Sequence, residues 1–337
     1  MSSRQVFGYA AGSVGQELKP LLYNAPLLGE NDVRVSVTHC GLCHTDIHQI
    51  NDEYEGTEYP FVPGHEIVGY VSKLGNTVTS LKIGDRVGIG WQGRSCGHCE
   101  WCLKGEEQLC MEIAHCGVWT PYGGFSTSVV VDHRFAYPLP ESMPSEVASV
   151  LMCGGISVYA PLRAYQTVSG LKLGIIGSGG LGHLAVQFAK KLKYDVTVIS
   201  TSADKEAEVR QLGADHFIVS SDMEEMRKYY YCFDLVLCTA TGHPDWETLL
   251  VTLKKRARLV LVSFPTMTMN PLDLVAHDLS ITGSFLGNRA SMREMLKFAQ
   301  KHRIKPMIEL MPMSQVNQAI QRVKENKARY RIVLVND

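Results

Sequence analysis

Val33, Val35 and Val37 alternate with polar neighbours in DVRVSVTHC, the period-two signature of a strand with one buried face. EIVGYVSKLG, GDRVGIG and FSTSVVVD read as further short strands between glycines, so the first half of the chain is β-rich. From about residue 171 the pattern becomes strand, helix, strand, helix: KLGIIG, LGHLAVQFAKKL, DVTVIS, DKEAEVRQLG, HFIVS, FDLVLCTA, WETLLVTLKK, ARLVLVSF. In the first of these helices Leu181, Leu184, Ala185, Phe188, Ala189 and Leu192 recur at helical spacing and form one stripe for a sheet. Such alternation predicts an α/β fold with a doubly wound parallel sheet. Two more helical segments, MREMLKFAQKH and SQVNQAIQRVKE, precede a closing strand, YRIVLVND, which could return to the first domain.

A chain of 337 residues suits two domains. Its 33 Lys and Arg against 34 Asp and Glu leave a formal charge of −1, which offers no footprint for nucleic acid or an anionic membrane. MSSRQVFGYA has no apolar leader core, and no run of about 18 apolar residues is evident in the sequence. These features predict a cytoplasmic protein with a small-molecule partner, no nucleic acid and no membrane. Ten cysteines in a reducing compartment point to metal or catalysis rather than to a disulfide framework.

GIIGSGGLGH places Gly177, Gly179 and Gly182 in G-x-G-x-x-G register, with Gly180 and Leu181 between the last two, after an apolar strand and at the start of a helix. A dinucleotide site needs those glycines for a tight turn, for close approach of backbone to pyrophosphate and for helix packing. At the end of the second strand, where an NAD site would carry an acid, stands VISTSADK. Ser200, Thr201 and Ser202 offer hydroxyls and Lys205 a positive charge, which suits the 2′-phosphate of NADP. Asp204 counts the other way, and a solvated helix start capped by Ser202 is the bland alternative.

CGHCEWCLKGEEQLC sets Cys96, Cys99, Cys102 and Cys110 at C-x2-C-x2-C-x7-C, a closed tetrahedral zinc site that holds a loop without doing chemistry. An iron–sulfur cluster is the rival, opposed by the last spacing and the missing proline. CGLCHTDIH crowds Cys43, His44, Thr45, Asp46 and His48 into one turn; Cys43, with His65 in PGHEIVG, could be a metal ligand, although spacing alone does not bring the two together.

CGLCHTDIH, PGHEIVG, GDRVG, the cysteine quartet and GSGGLG, in this order over essentially the whole chain, resemble the zinc-dependent alcohol dehydrogenases of the medium-chain dehydrogenase/reductase superfamily. VTVIST and GWQGRSCGHCEWC are similar to the NADP-dependent cinnamyl-alcohol branch. The resemblance implies a β-rich GroES-like catalytic domain over residues 1–152 and 288–337 and a Rossmann NADP-binding domain over 153–287. It implies a catalytic zinc on Cys43, His65 and Cys153, hence two zinc ions per chain with the quartet. Glu66 becomes an acid able to approach that zinc, and Asp46 the carboxylate that fixes the His65 tautomer. Thr45 bonds the substrate oxygen, His48 releases the proton at the surface, and His44 touches the pyrophosphate. The implied reaction moves a hydride between NADP(H) and a primary alcohol or aldehyde, in a homodimer. NAD dependence, a zinc-free quinone reductase on the same architecture and a non-catalytic zinc-lobe binding module are the alternatives.

Trp91 and Trp119 are candidates for an aromatic or medium aliphatic substrate pocket, with broad specificity expected. His115 lies where some relatives of the cinnamyl branch carry an aromatic residue. Cys40, Cys116, Cys232 and Cys238 read as small buried hydrophobes. His39, His98, His133, His183, His216, His243, His277 and His302 read as surface or capping residues.

Overall fold

A computed structural model describes residues 4–336 and divides the chain into two compact units. One runs to Cys153 and takes up Asn288–Gln300 and the stretch from Lys305 onward; the other is Gly154–Gly287 with Lys301–Ile304.

The first unit is built on one mixed sheet whose strands lie in the order Ile308–Pro312, Arg331–Val335, Asp32–Leu42, Glu66–Leu74, Arg86–Ile89 and Tyr137–Pro138, with Ser128–Asp132 also paired to Asp32–Leu42. Val33, Val35 and Val37 are buried in its core with Ile67, Val71, Val87 and Ile332, as their alternation requires. The closing strand pairs antiparallel with the central one, Ile332 opposite Leu42 and Val335 opposite His39, so the chain's end belongs to the first unit's sheet. That pairing also carries Arg331 to the segment CGLCHTDIH.

The second unit has a six-stranded, wholly parallel sheet ordered His216–Val219, Asp195–Ser200, Lys172–Ile176, Phe233–Cys238, Leu253–Leu261 and Ser280–Gly283. Counted along the chain this is 3-2-1-4-5-6, the dinucleotide-fold order, with its switch point beside Lys172–Ile176. The helix after that strand, Gly182–Lys191, buries Leu184, Ala185, Phe188 and Ala189 as its stripe predicts.

Three local expectations change. CGLCHTDIH is not a turn: its first residues end a strand, Cys43 caps a helix, and His44–Ile50 form that helix. WETLLVTLKK stops being helical at Leu250, and the strand begins at Leu253, because the β-branched Val251 and Thr252 lead straight into it. Ser145–Tyr165 is one helical run long and apolar enough by composition to cross a bilayer, a feature hidden in the sequence by its interspersed Ser and Gly. Its most apolar window is 83% buried inside the protein, as a core helix is.

Candidate active site

The helix His44–Ile50 begins where the central strand ends, and Asp46 fixes that junction. Its Oδ2 accepts the Cys43 N–H at 2.8 Å, while Oδ1 accepts the Gly64 N–H at 2.9 Å and lies 3.1 Å from His65 Nδ1. Asp46 and His65 are almost completely buried. With Nδ1–H donated to the carboxylate, Nε2 is left as the lone-pair nitrogen, the tautomer a metal ligand needs. Burial alone would pull the His65 pKa down, but Asp46 and Cys43 outweigh it and raise it well above the ordinary value. Cys43 is held ionised, mainly by a hydrogen bond from Cys153 and secondarily by His65 against the cost of burial.

Cys153 arrives from elsewhere in the chain. It sits in a π-helical turn, Leu151–Gly155, within the Ser145–Tyr165 run, and such a turn re-aims side chains out of helical register. One ligand atom each from Cys43, His65, Glu66 and Cys153 then lies within 4.8 Å of the others. Two sulfurs, an imidazole and a carboxylate fit zinc.

Glu66 is fully buried, with Oε1 in contact with Arg331 and Oε2 lacking any protein partner. Burial pushes its pKa up to about 7, in spite of the nearby guanidinium. Its side chain lies over Gly41, where an added Cβ would fall 2.0 Å from Oε2. Gly41 is therefore the space that Glu66 occupies. Neither Gly41 nor Arg331 has a role in the sequence reading; an arginine inside the apolar run RIVLV was the available signal.

Thr45 places its hydroxyl oxygen 3.7 Å from Cys43 Sγ. At the other end of the helix His48 Nδ1 lies 2.5 Å from Glu53 Oε2, and Asn51 donates to Glu53 Oε1 at 2.8 Å. Asp52, at φ 52°, turns the chain so that Glu53 faces back to His48. The acid shortly after the histidine was visible in the sequence, but not its direction. The rings of His44 and His48 are 6.3 Å apart.

The quartet Cys96, Cys99, Cys102 and Cys110 forms a second cluster with its sulfurs within 4.8 Å of one another. Backbone N–H groups of Cys96 and Cys99 point at the sulfurs of Cys110 and Cys96, both at 3.3 Å, as thiolates held for a metal require. His98 and Glu112 border it at the surface, 3.8 Å apart.

In the second unit the three fingerprint glycines have separable reasons. Gly177 adopts φ 93° in the turn, Gly179 has nothing within 4 Å of where a Cβ would point, and a Cβ on Gly182 would meet the Gly177 carbonyl oxygen at 2.1 Å. Gly180 and Leu181 complete the turn, with Leu181 at the helix N-cap. Gly182→Val should weaken dinucleotide binding at least about tenfold through this backbone clash. Nicotinamide fluorescence measures this on protein that keeps its zinc, and unchanged affinity would contradict it. Ser178 and Ser200 hydroxyls are 3.3 Å apart at the end of the first two strands. Thr201 is exposed, and Lys205 precedes the helix Glu206–Leu212 as its N-cap residue. Ser202 bonds Asp204 and does not cap that helix.

Two minor expectations are corrected. His183 is fully buried in the nucleotide-fold helix, its ring bonded to the Gly179 carbonyl at 3.2 Å, because the stripe around it packs on the sheet. Cys232 is half-exposed, with the Lys172 ammonium 3.8 Å from its sulfur.

Burial pushes the pKa of His115 from 6.5 down to about 4. The unfolded chain therefore takes up this proton at a higher pH than the folded one, and the associated stability, complete above 6.5, is lost as pH falls towards 4. His115→Phe should lose less thermal stability than wild type over that window; parallel losses in melting experiments would contradict it.

Residues 29–141 match the alcohol dehydrogenase GroES-like domain family and residues 180–301 the zinc-binding dehydrogenase family. The chain is 38% identical over 349 residues to Arabidopsis thaliana cinnamyl alcohol dehydrogenase 2, covering 99% of this chain and 92% of that one. It superimposes on a cinnamyl alcohol dehydrogenase from Sorghum bicolor with TM-score 0.93 at 37% identity, and on one from Helicobacter pylori complexed with NADP(H) with TM-score 0.91 at 29% identity, each covering 98% of both chains. With its metal-competent cluster and its dinucleotide fold, the chain belongs to the zinc-dependent alcohol dehydrogenases of the medium-chain dehydrogenase/reductase superfamily, in their cinnamyl alcohol dehydrogenase branch.

Proposed function

We propose that this alcohol dehydrogenase interconverts primary alcohols and aldehydes, aromatic or medium aliphatic, with NADP(H) as its hydride carrier and two zinc ions per chain. The observation that carries the reading is the convergence of Cys43, His65, Glu66 and Cys153 around buried Asp46. Bound to Cys43, His65 and Cys153, zinc supplies Lewis acidity, and the nicotinamide supplies or takes the hydride. Asp46 keeps His65 in the ligating tautomer. Arg331 holds Glu66 at the cluster and offsets its charge. The Thr45 hydroxyl orients the substrate oxygen, and His48, backed by Glu53, exchanges the proton with water at the rim.

NADP is supported by the hydroxyls of Ser200 and Thr201, the Lys205 ammonium and the NADP(H) complex of the Helicobacter relative. His44 is taken as a pyrophosphate contact, as the family resemblance implies. Lys205→Ala should weaken NADPH use about tenfold while leaving NADH use unchanged, the loss of one charge-assisted hydrogen bond. Initial rates with both cofactors across an aldehyde panel test this, and a wild-type enzyme that prefers NADH would overturn the NADP assignment. Homodimerisation is supported by the sheet-edge strand Ser280–Gly283 and, in the same unit, exposed Phe264, Leu272 and Val275. A cytoplasmic address is supported by six cysteines gathered into two clusters that bind metal only when reduced.

A further inference from the structure

Five rings run side by side along the β-rich unit. His48 lies 5.1 Å from Tyr54, Tyr54 6.4 Å from Trp119, Trp119 4.9 Å from His115, and His115 5.4 Å from Trp91, all between ring centroids. The strip therefore starts at the residue placed at the proton exit. It also passes near the metal cluster, since Cys43 adds to the effect of burial in raising the Tyr54 pKa.

The middle of the strip is held in place by its backbone. Trp119 adopts φ 57°, a left-handed conformation rare for a bulky side chain. Its N–H donates to Gln49 Oε1 at 2.8 Å, and the same oxygen accepts the Thr57 hydroxyl at 3.1 Å. Gln49 is fully buried on the opening helix, so the strained tryptophan is tied to the element that carries Thr45 and Asp46. On the other side the Thr120 hydroxyl donates to the His115 carbonyl at 3.1 Å. Among the three rings at this end, the indoles can only donate a hydrogen bond, whereas the imidazole both donates and accepts. Its nitrogens have no hydrogen-bond partner among the described residues.

Resting on the aldehyde-reductase reading, we propose that His115 is a specificity-determining residue: clasped between Trp91 and Trp119, it accepts a hydrogen bond from a ring hydroxyl of a flat aryl aldehyde whose ring stacks along the strip. The enzyme then favours p-hydroxybenzaldehyde over p-methoxybenzaldehyde, which has similar electronics but no proton to donate.

The test compares the two aldehydes at a pH that keeps the phenol protonated, by kcat/KM with NADPH and by dissociation constants from quenching of tryptophan fluorescence. His115→Phe, which keeps a ring in the sandwich, should cut the preference for the hydroxylated aldehyde about tenfold, the usual effect of one hydrogen bond at a substrate hydroxyl. His115→Asn, which keeps an acceptor, should retain part of it. Unchanged ratios in a His115→Phe enzyme that is active and holds its zinc would overturn the inference and leave the reductase reading standing. If no aldehyde is turned over but binding discriminates through His115, the reductase reading falls and the recognition role stands.

Discussion

Cys43→Ala should lose at least about a thousandfold in aldehyde reduction, because Lewis-acid stabilisation lowers the barrier by several kcal/mol and about 1.4 kcal/mol is a factor of ten. The reason is local. Cys43 is the ionised member of its cluster, bonded by Cys153 and next to His65, so its removal takes away the charge around which the other donors are arranged. Zinc should fall by one ion per chain while the quartet, whose ligands are Cys96, Cys99, Cys102 and Cys110, keeps its own. Metal analysis alongside initial rates checks both parts. A variant that loses activity with its full zinc content would show that Cys43 acts otherwise than as a ligand.

Arg331→Met is expected to destabilise the fold by about 3–5 kcal/mol, the cost of leaving a buried carboxylate without its partner. Glu66 is fully buried and one of its oxygens already lacks a protein partner, so loss of the guanidinium would strand the other. Adding Glu66→Gln should restore much of that stability, since a buried pair replaced on both sides avoids the uncompensated charge. Thermal melts of the single and double variants measure the coupling directly. A single variant that melts with wild type, or a double variant no better than the single, would contradict the pairing.

The second unit was legible because its signals are local. Strand–helix alternation and the glycine register each lie within a short window, whereas the strand order, which doubly wound sheets vary, comes only from the structure. The quartet was legible for the same reason, all four thiols lying in one short loop. The first cluster was not. Cys43 and His65 meet through pairing of their adjoining strands, with Gly41 opposite Glu66, and nothing in either segment states that register. Cys153 depends on a π-helical turn within an apolar run, so only family resemblance singled it out. Arg331 reaches Glu66 because the closing strand returns to the central one, a contact between residues far apart in the chain. The helix His44–Ile50 does not declare itself in the sequence because it is seven residues long, too short for its apolar Ile47 and Ile50 to show a period. Glu53 was hidden by the left-handed residue before it.

A zinc ion on Cys43, His65 and Cys153 should make this chain an aldehyde reductase, and a titration of the purified protein with chelator, following zinc per chain and NADPH-dependent aldehyde reduction together, measures whether it does. Two zinc ions per chain are expected at the start, with a rate that falls in proportion to loss of one of them and returns when zinc is restored. A full rate in protein stripped of both ions would contradict it.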